Sequence, residues 1–439
     1  MAARSPSAGT EEMVNESKLF QSFWWWLLLG LLACAPGSTK LAGAGWLVLA
    51  LVGLYRFARF FPIWWTQRAA DPLTRAASVW LAFVLAAFLF KAIGVTYWDD
   101  PWKTRHFDLR MLLSAVAIFA LASRVTLTRE KLFGLGVAMA LAAAVGMSVS
   151  YLHVNFDMDT PSNRINWAGG QVMLSWVLLS VALDKDNSRL LRRLALAGFA
   201  CFWLAVLMSG ARSAYLSIPW VGVVILVLTL TRVERERRWK WVASVVLGIP
   251  LLVAAVATVA PSVVEVPAGR IEIAVEEARA ALADKDDPAR NVDTPVGARI
   301  YMWQKGMEKF MQSPWIGYGR EQRIAFIKAW GEESDAHIIS DQFHLHSEYI
   351  NGMVDHGLVG LASTVAYMAG LVVVAFMLRR THPLMALALA GIAFTHITMS
   401  VTNANSQTNN YSVIFGWSLM TLFLFRSGAL RREPVAASQ

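Results

Sequence analysis

Apolar runs of about twenty residues recur along almost the whole 439-residue chain, and no other feature restricts its fold so tightly. Hydrocarbon offers a backbone amide no partner, so a segment inside it must be helical or part of a closed barrel. A helix needs roughly 20 apolar residues to cross. Windows of that kind fall at about 20–35, 41–58, 76–96, 109–125, 131–152, 167–184, 191–209, 212–231, 239–260, 358–378, 384–402 and 410–427. The expectation is an all-α polytopic membrane protein with about twelve transmembrane helices. Composition agrees: 56% of residues are hydrophobic and 16% charged, with a mean hydropathy of +0.45. Soluble domains carry about 25% charged residues, so a soluble enzyme, a disordered chain and a fibrous one are all excluded. Cys34 and Cys201 both sit in apolar runs and read as neither a disulfide framework nor a metal site. The first run follows a polar stretch with Glu11, Glu12 and Glu16 and lacks a small-residue cleavage site, so it is read as a retained helix.

The formal charge of +9 is informative by its placement. Arg56, Arg59, Arg68 and Arg75 follow the second run, and Arg124, Arg129 and Lys131 the fourth. Lys185, Arg189, Arg192 and Arg193 follow the sixth, and Arg232, Arg235, Arg237, Arg238 and Lys240 the eighth. Arg379 and Arg380 follow the tenth, and Arg426, Arg431 and Arg432 come at the end. These alternate connections belong to one side, and the bias of short loops toward lysine and arginine makes that side the cytoplasm. The opposite connections are acidic or charge-poor: Trp98 to Asp108 carries Asp99, Asp100 and Asp108, and Val401 to Tyr411 has no charge. Both termini are therefore expected in the cytoplasm. The basic excess is a topology signal, and a nucleic-acid partner is not expected; the partner it does imply is the lipid bilayer.

One connection is too long to be a loop. Between the ninth and tenth runs lies an external segment, 261–343, in which Ile271 to Leu282 is amphipathic and Asp284 to Pro295 reads as a flexible connector. Ile300, Trp303, Met307, Phe310 and Met311 recur at helical spacing, Ser313-Pro314 stops that helix, Gly317 and Gly319 make a turn, and Arg320 to Trp330 forms another short helix. The chain thus divides into helices one to nine (1–260), a helical external domain (261–343), helices ten to twelve with the segment leading into them (344–427), and a cytoplasmic tail (428–439).

Three stretches carry chemistry. His346-Ser347, nine residues, then Gly357-x-x-Gly360 leads into the tenth run. Arg212 opens the eighth run, with three residues between it and Leu216. Arg299-Ile300-Tyr301-Met302-Trp303 continues through Pro314, Gly317 and Gly319. In their order and shared membrane side these resemble the O-antigen ligase and polymerase superfamily, by architecture over the whole chain and by motif in these stretches. The resemblance implies a GT-C-like glycosyltransferase with a periplasmic helical domain between helices nine and ten, in the inner membrane of a Gram-negative bacterium. It implies transfer of a glycan from undecaprenyl pyrophosphate to a sugar hydroxyl of the lipid A-core, without metal or other cofactor.

That chemistry suits these residue types. A sugar hydroxyl is a poor nucleophile until a base takes its proton, and histidine is largely neutral at working pH. A departing lipid pyrophosphate needs cationic clamping as charge develops, which guanidinium forks supply. The resemblance assigns His346 as base and Arg212 as pyrophosphate clamp, with Arg299 a second clamp. His344, Lys91, Tyr301 and Trp303 are substrate-binding candidates. Blander readings stand beside each. An arginine at a helix end can be a snorkelling anchor, as can Lys91 near the outer end of the third run. His344 can be an interfacial polar residue. Trp303, Trp315 and Trp330 can stack on sugars, although mutual packing of the external helices accounts for them. His337, Asp341, His344 and His346 suggest a metal site, but a helical His-x-His turns its rings roughly 200° apart, which opposes shared ligation unless the segment is extended. His153, Asp157, Asp159 and Arg164 form an external loop that can help shape the acceptor site, although a solvated face accounts for them.

Three functions remain open: an O-antigen ligase, a polymerase or protein O-oligosaccharyltransferase on the same scaffold, and a transporter of lipid-linked sugars. Transporters show Gly/Pro-broken spans at corresponding places in two halves, a correspondence missing here. Polymerases carry more than one large external loop, and this chain has one, so ligase is preferred.

Overall fold

The computed structural model describes residues 23–67, 71–102, 106–122, 127–232, 235–237, 261–283 and 292–429, with isolated positions between 239 and 258. The expected ninth span, most of the connector after Ala283, the acidic N-terminal stretch and the basic residues Arg68, Arg124, Arg238, Arg431 and Arg432 lie outside the described residues. The described chain is helical, with no strand among those residues.

The first half contains α1 (Phe23–Cys34), α2 (Thr39–Gln67), α3 (Pro72–Tyr97), α4 (His106–Ala122), α5 (Arg129–Phe156), α6 (Arg164–Ala182) and α7 (Arg189–Met208). Side chains before several of these helices take orphan backbone amides. Asp71 accepts from Leu73 N and Thr74 N ahead of Pro72, Thr128 from Lys131 N, Asn163 from Ile165 N, and Ser188 from Leu191 N. The expected eighth span is two pieces, α8 (Arg212–Tyr215) and α9 (Ile218–Arg232). The external segment contributes α10 (Ser262–Ala283), α11 (Pro295–Gln312), α12 (Arg320–Glu333) and α13 (His337–Ser340); α14 (Glu348–Leu378), α15 (Pro383–Thr402) and α16 (Asn409–Ala429) follow.

Among the described residues, seven helices (α2, α3, α5, α6, α7, α14 and α15) are long and apolar enough to cross a membrane, with Trp25–Gly37 and Arg212–Val227 as shorter apolar stretches. The chain is a polytopic all-helical membrane protein. At the centre stands α6, buried on every face, against α7, α15 and α16. Trp167 and Trp176 are wholly buried there, and Trp176 Nε1 donates to Thr395 Oγ1 of α15. Helices farther out turn leucines such as Leu51, Leu85, Leu141 and Leu196 outward, which only hydrocarbon tolerates in such number.

The external helices have their own core of Tyr301, Met302, Ile327, Trp330 and Ile339, which also takes in Leu345 and Val354. This corrects the expected start of the tenth span. The helix begins at Glu348, ten residues before the apolar run, because its first turns belong to the external core and are too polar to register as hydrophobic. Ser347 caps it by accepting from Ile350 N. The helix then breaks at His356 (φ −136°, ψ 19°) and Gly357 (φ 62°, ψ −145°).

The break has a local cause. The loop after α11 lies across it and takes the backbone groups that the helix releases: Leu358 N donates to Pro314 O at 2.7 Å, Tyr318 N to Val354 O at 3.0 Å and Gly319 N to Asp355 O at 2.7 Å. Backbones this close leave no room for side chains. A Cβ on Gly357 would meet the Trp315 carbonyl carbon, and one on Gly317 would lie 2.5 Å from Val354 O. Gly360 opposes Gly352 across the same break. The Gly-x-x-Gly of the signature is thus the seat of the kink at which α14 leaves the small helical core for its long apolar run. Gly357→Ala combines a left-handed φ with a backbone collision and is expected to cost on the order of 2 kcal/mol or more. Thermal unfolding in detergent checks this, with Gly222→Ala, where an added Cβ meets nothing within 4 Å, leaving the melting temperature unchanged or slightly raised.

Candidate functional site: an arginine cluster beside a buried histidine pair

Arg212 owes its place to a tight turn. After α7, Gly210 takes φ 66°, Ala211 N donates to Ser209 Oγ, and the chain re-enters a helix at once with Arg212. Gly210 leaves its outer side to α10, whose Arg270 side chain lies 3.5 Å from where a Cβ would stand. Glu277, also on α10, accepts from Arg212 Nη1 at 3.2 Å and from Val296 N at 3.1 Å. One carboxylate therefore links α8 to the first turn of α11, a turn that Thr294 caps through Gly297 N. Arg299 follows one turn later. It is half-buried with its Nε unpartnered, and burial, then Arg212, lowers its pKa, while Glu277 opposes them. A guanidinium keeps its proton regardless, so the site holds a poorly compensated charge. Arg164, at the head of α6, lies within electrostatic reach of Arg212 and Arg270. Four half-buried arginines thus converge: Arg164, Arg212, Arg270 and Arg299.

The histidines adjoin this cluster. His344 and His346 stack edge to face with centroids 4.2 Å apart, and His346 N donates to His344 Nδ1 at 3.3 Å. His346 has a left-handed backbone, φ 51°, which its neighbours hold. Leu345 N donates to Asn351 Oδ1 at 2.9 Å, and Leu345 O accepts from Trp303 Nε1 at 2.8 Å. Beneath them Arg323, with no exposed surface, donates through Nε to Asp355 Oδ1 at 2.6 Å and through Nη1 to Phe343 O at 2.7 Å and Asn351 Oδ1 at 3.3 Å. Burial pushes the His346 ring down to about 2, reinforced by His344 and then Arg299. Burial and the nearby Arg323 take His344 to about 4. Both rings are neutral at physiological pH.

The structure therefore brings His344, His346 and Arg299 together beside Arg212, with Trp303 on the backbone next to His346. It sets two other candidates apart. Tyr301 is 5% exposed, part of the external core, with Lys305 over its ring. Lys91 does not snorkel: it is 8% exposed and lines a small buried cavity with Asp108, Glu348, Tyr367, His396 and Ser406, behind the first turn of α14. Of the external tryptophans, Trp330 packs as expected, but Trp315 is 73% exposed. Arg164 joins the cluster instead of a solvated loop, and its place at the head of the most buried helix was the available signal. Arg270, Glu277, Arg323, Asn351 and Asp355 were missed by the motifs.

Residues 197–365 match the family model described as O-antigen ligase. Over that stretch the chain is similar to the O-antigen ligase superfamily. The matched stretch contains Arg212, Arg299, His346 and the Gly357-Gly360 kink, and so spans the arginine cluster apart from Arg164. An uncharacterized protein of Haemophilus influenzae strain Rd is 23% identical over 236 residues, covering 52% of this chain and 56% of that protein. The chain thus spans little more than half the length of that relative.

Arg323→Met leaves Asp355 buried and unpaired, and is expected to cost about 3–5 kcal/mol, whereas Arg323→Met with Asp355→Leu recovers most of the loss. Chemical unfolding of both variants and of Asp355→Leu alone in detergent checks this; losses that simply add in the double variant would show that the pair carries no coupling.

Proposed function

We propose that the protein is an O-antigen ligase of the bacterial inner membrane. It transfers the glycan of an undecaprenyl-pyrophosphate-linked donor to a hydroxyl of the lipid A-core on the periplasmic face. The wider reading that goes with this is a GT-C-like scaffold of about twelve spans with both termini in the cytoplasm. What carries the proposal is the juxtaposition of arginines with a neutral, partly buried imidazole: Arg299 acts electrostatically on Arg212 and on both His344 and His346.

In the proposed reaction, His346 takes the proton of the acceptor hydroxyl as its oxygen attacks the anomeric carbon of the donor. The bond from that carbon to the phosphate oxygen breaks, and its electron pair leaves with undecaprenyl pyrophosphate. Arg212 and Arg299 hold the pyrophosphate and meet the growing charge, with Arg164 and Arg270 extending the cationic surface. The imidazolium returns its proton to water or to the departing phosphate. Glu277, which bonds to Arg212, yields to the donor or shares the guanidinium with it.

Reconstitution with lipid-linked glycan and lipid A-core tests the proposal. His346→Ala is expected to abolish transfer, and Arg212→Lys to restore only part of what Arg212→Ala loses, because the fork geometry is gone. Glycan growth on the carrier without transfer to the core would identify a polymerase instead. Because the His346 ring titrates far below its ordinary value, the base is already neutral in the free protein. The acid limb of kcat/KM is therefore expected below about pH 5, and not near the unperturbed value of about 6.5. A limb between pH 6 and 7 would place the working base elsewhere.

A further inference from the structure

The two ring nitrogens of His346 have different surroundings. Nε2 lies 2.9 Å from Gln342 Oε1, whereas Nδ1 is buried without a hydrogen bond among the described residues. Which nitrogen carries the proton of the neutral ring depends on which end of the Gln342 amide faces it. The two ends of an amide are told apart by their partners. The other end of Gln342 decides the matter: its Nε2 donates to Ile338 O at 3.1 Å. A carbonyl can only accept, so the NH2 group must face Ile338 and the oxygen must face His346. An oxygen there obliges His346 Nε2 to carry hydrogen, which leaves the lone pair on Nδ1.

The backbone maintains this arrangement. Leu345 is held at its N–H by Asn351 and at its carbonyl by Trp303, and His346 N is bound to His344 Nδ1. A ring flip that exchanged the nitrogens would give up the bond to Gln342. The charged and titratable groups acting on the ring are His344, from its own segment, and Arg299, from α11; both oppose a positive charge on it.

We propose that Gln342 is a positioning residue that locks His346 in the tautomer whose Nδ1 lone pair accepts the proton of the acceptor hydroxyl. This rests on His346 being the base of glycan transfer. Nδ1 takes the proton while Nε2 keeps its own, and the Nδ1 proton leaves afterwards. An amide suits the task better than a carboxylate: it orients the ring yet adds no negative charge that would hold the imidazolium and delay its return.

Two variants and one spectrum test the lock in the full-length protein. Gln342→Met removes the acceptor at similar length, and its kcat is expected to fall roughly 10- to 100-fold, the usual loss when the outer partner of a working imidazole is removed, with KM changed less than about twofold. Gln342→Glu keeps an acceptor and adds charge, so it should remain active while its acid limb in kcat/KM moves up by about one pH unit or more. Nitrogen-15 spectra of the histidine-labelled protein, with the signal identified by its loss in His346→Ala, should show a protonated Nε2 and a bare Nδ1. Gln342→Met should show both tautomers. Unchanged kcat in Gln342→Met, or a wild-type ring protonated at Nδ1, overturns the proposal. The spectrum needs no substrate, so it reports on the lock even where His346→Ala retains full transfer, a result that would overturn instead the assignment of His346 as base.

Discussion

A guanidinium with no exposed surface, that of Arg323, ties together three pieces of chain at the edge of the core they share. It is donated by α12, pairs with Asp355 near the kink of α14, and binds the carbonyl of Phe343 at the start of the histidine segment. Burying such a pair costs several kcal/mol in lost hydration, and the cost is offset only where further hydrogen bonds satisfy the remaining donors. Asn351 supplies one of these and passes the constraint on through Leu345 N, next to His346. His346 keeps a left-handed backbone because its neighbours are fixed from both sides. The site thus inherits its geometry from an ion pair that lies beneath it.

Asp355 has a second part through its backbone. Its carbonyl accepts from Gly319 N just where α14 breaks, and the neighbouring His356 places Nε2 2.9 Å from Asp100 Oδ2. Asp100 also accepts from Arg320 N, at the start of the helix that carries Arg323. The ion pair and the kink are therefore adjoining parts of one junction between the external domain, the end of α3 and the head of α14. Glu348 adds a fourth strand of restraint by accepting from Ser406 N and Ser406 Oγ, which fastens the loop between α15 and α16 to the same helix end. Movement of the external domain as a rigid body would have to break these contacts together.

What was legible in the sequence follows from the range of the forces involved. Helices such as α3, α5 and α7 could be read because hydrocarbon acts on each segment alone, and twenty apolar residues suffice. Arg212, Arg299 and His346 could be selected because they sit in local motifs, Arg212 at the end of such a segment. The start of α14 could not, since Glu348 to Asp355 is polar and its burial comes from α11 and α12. Lys91 was misplaced for a related reason: its position along α3 suggested an interface, whereas the acids around it come from α4 and α14. Glu277 and Arg270 sit in an amphipathic stretch whose charges resemble any solvated helix face until Gly210 and α11 are set against it.

The arginine cluster shows why placement outweighs the net charge. Four half-buried guanidiniums, Arg164, Arg212, Arg270 and Arg299, come together, and among the described residues one carboxylate, Glu277, bonds to one of them. Gathering like charges in a partly desolvated site raises the energy of the empty protein. Ordinary packing gives no return for that cost, and snorkelling would separate the side chains toward water rather than collect them. An anion of two or three charges with several acceptor oxygens gives the return directly, because it converts mutual repulsion into shared bidentate contacts. A pyrophosphate ester has that charge and that number of oxygens. On the proposed reading, the mutual repulsion of the cluster is relieved by the donor, and the neutral imidazole beside it adds no further positive charge until the reaction produces one.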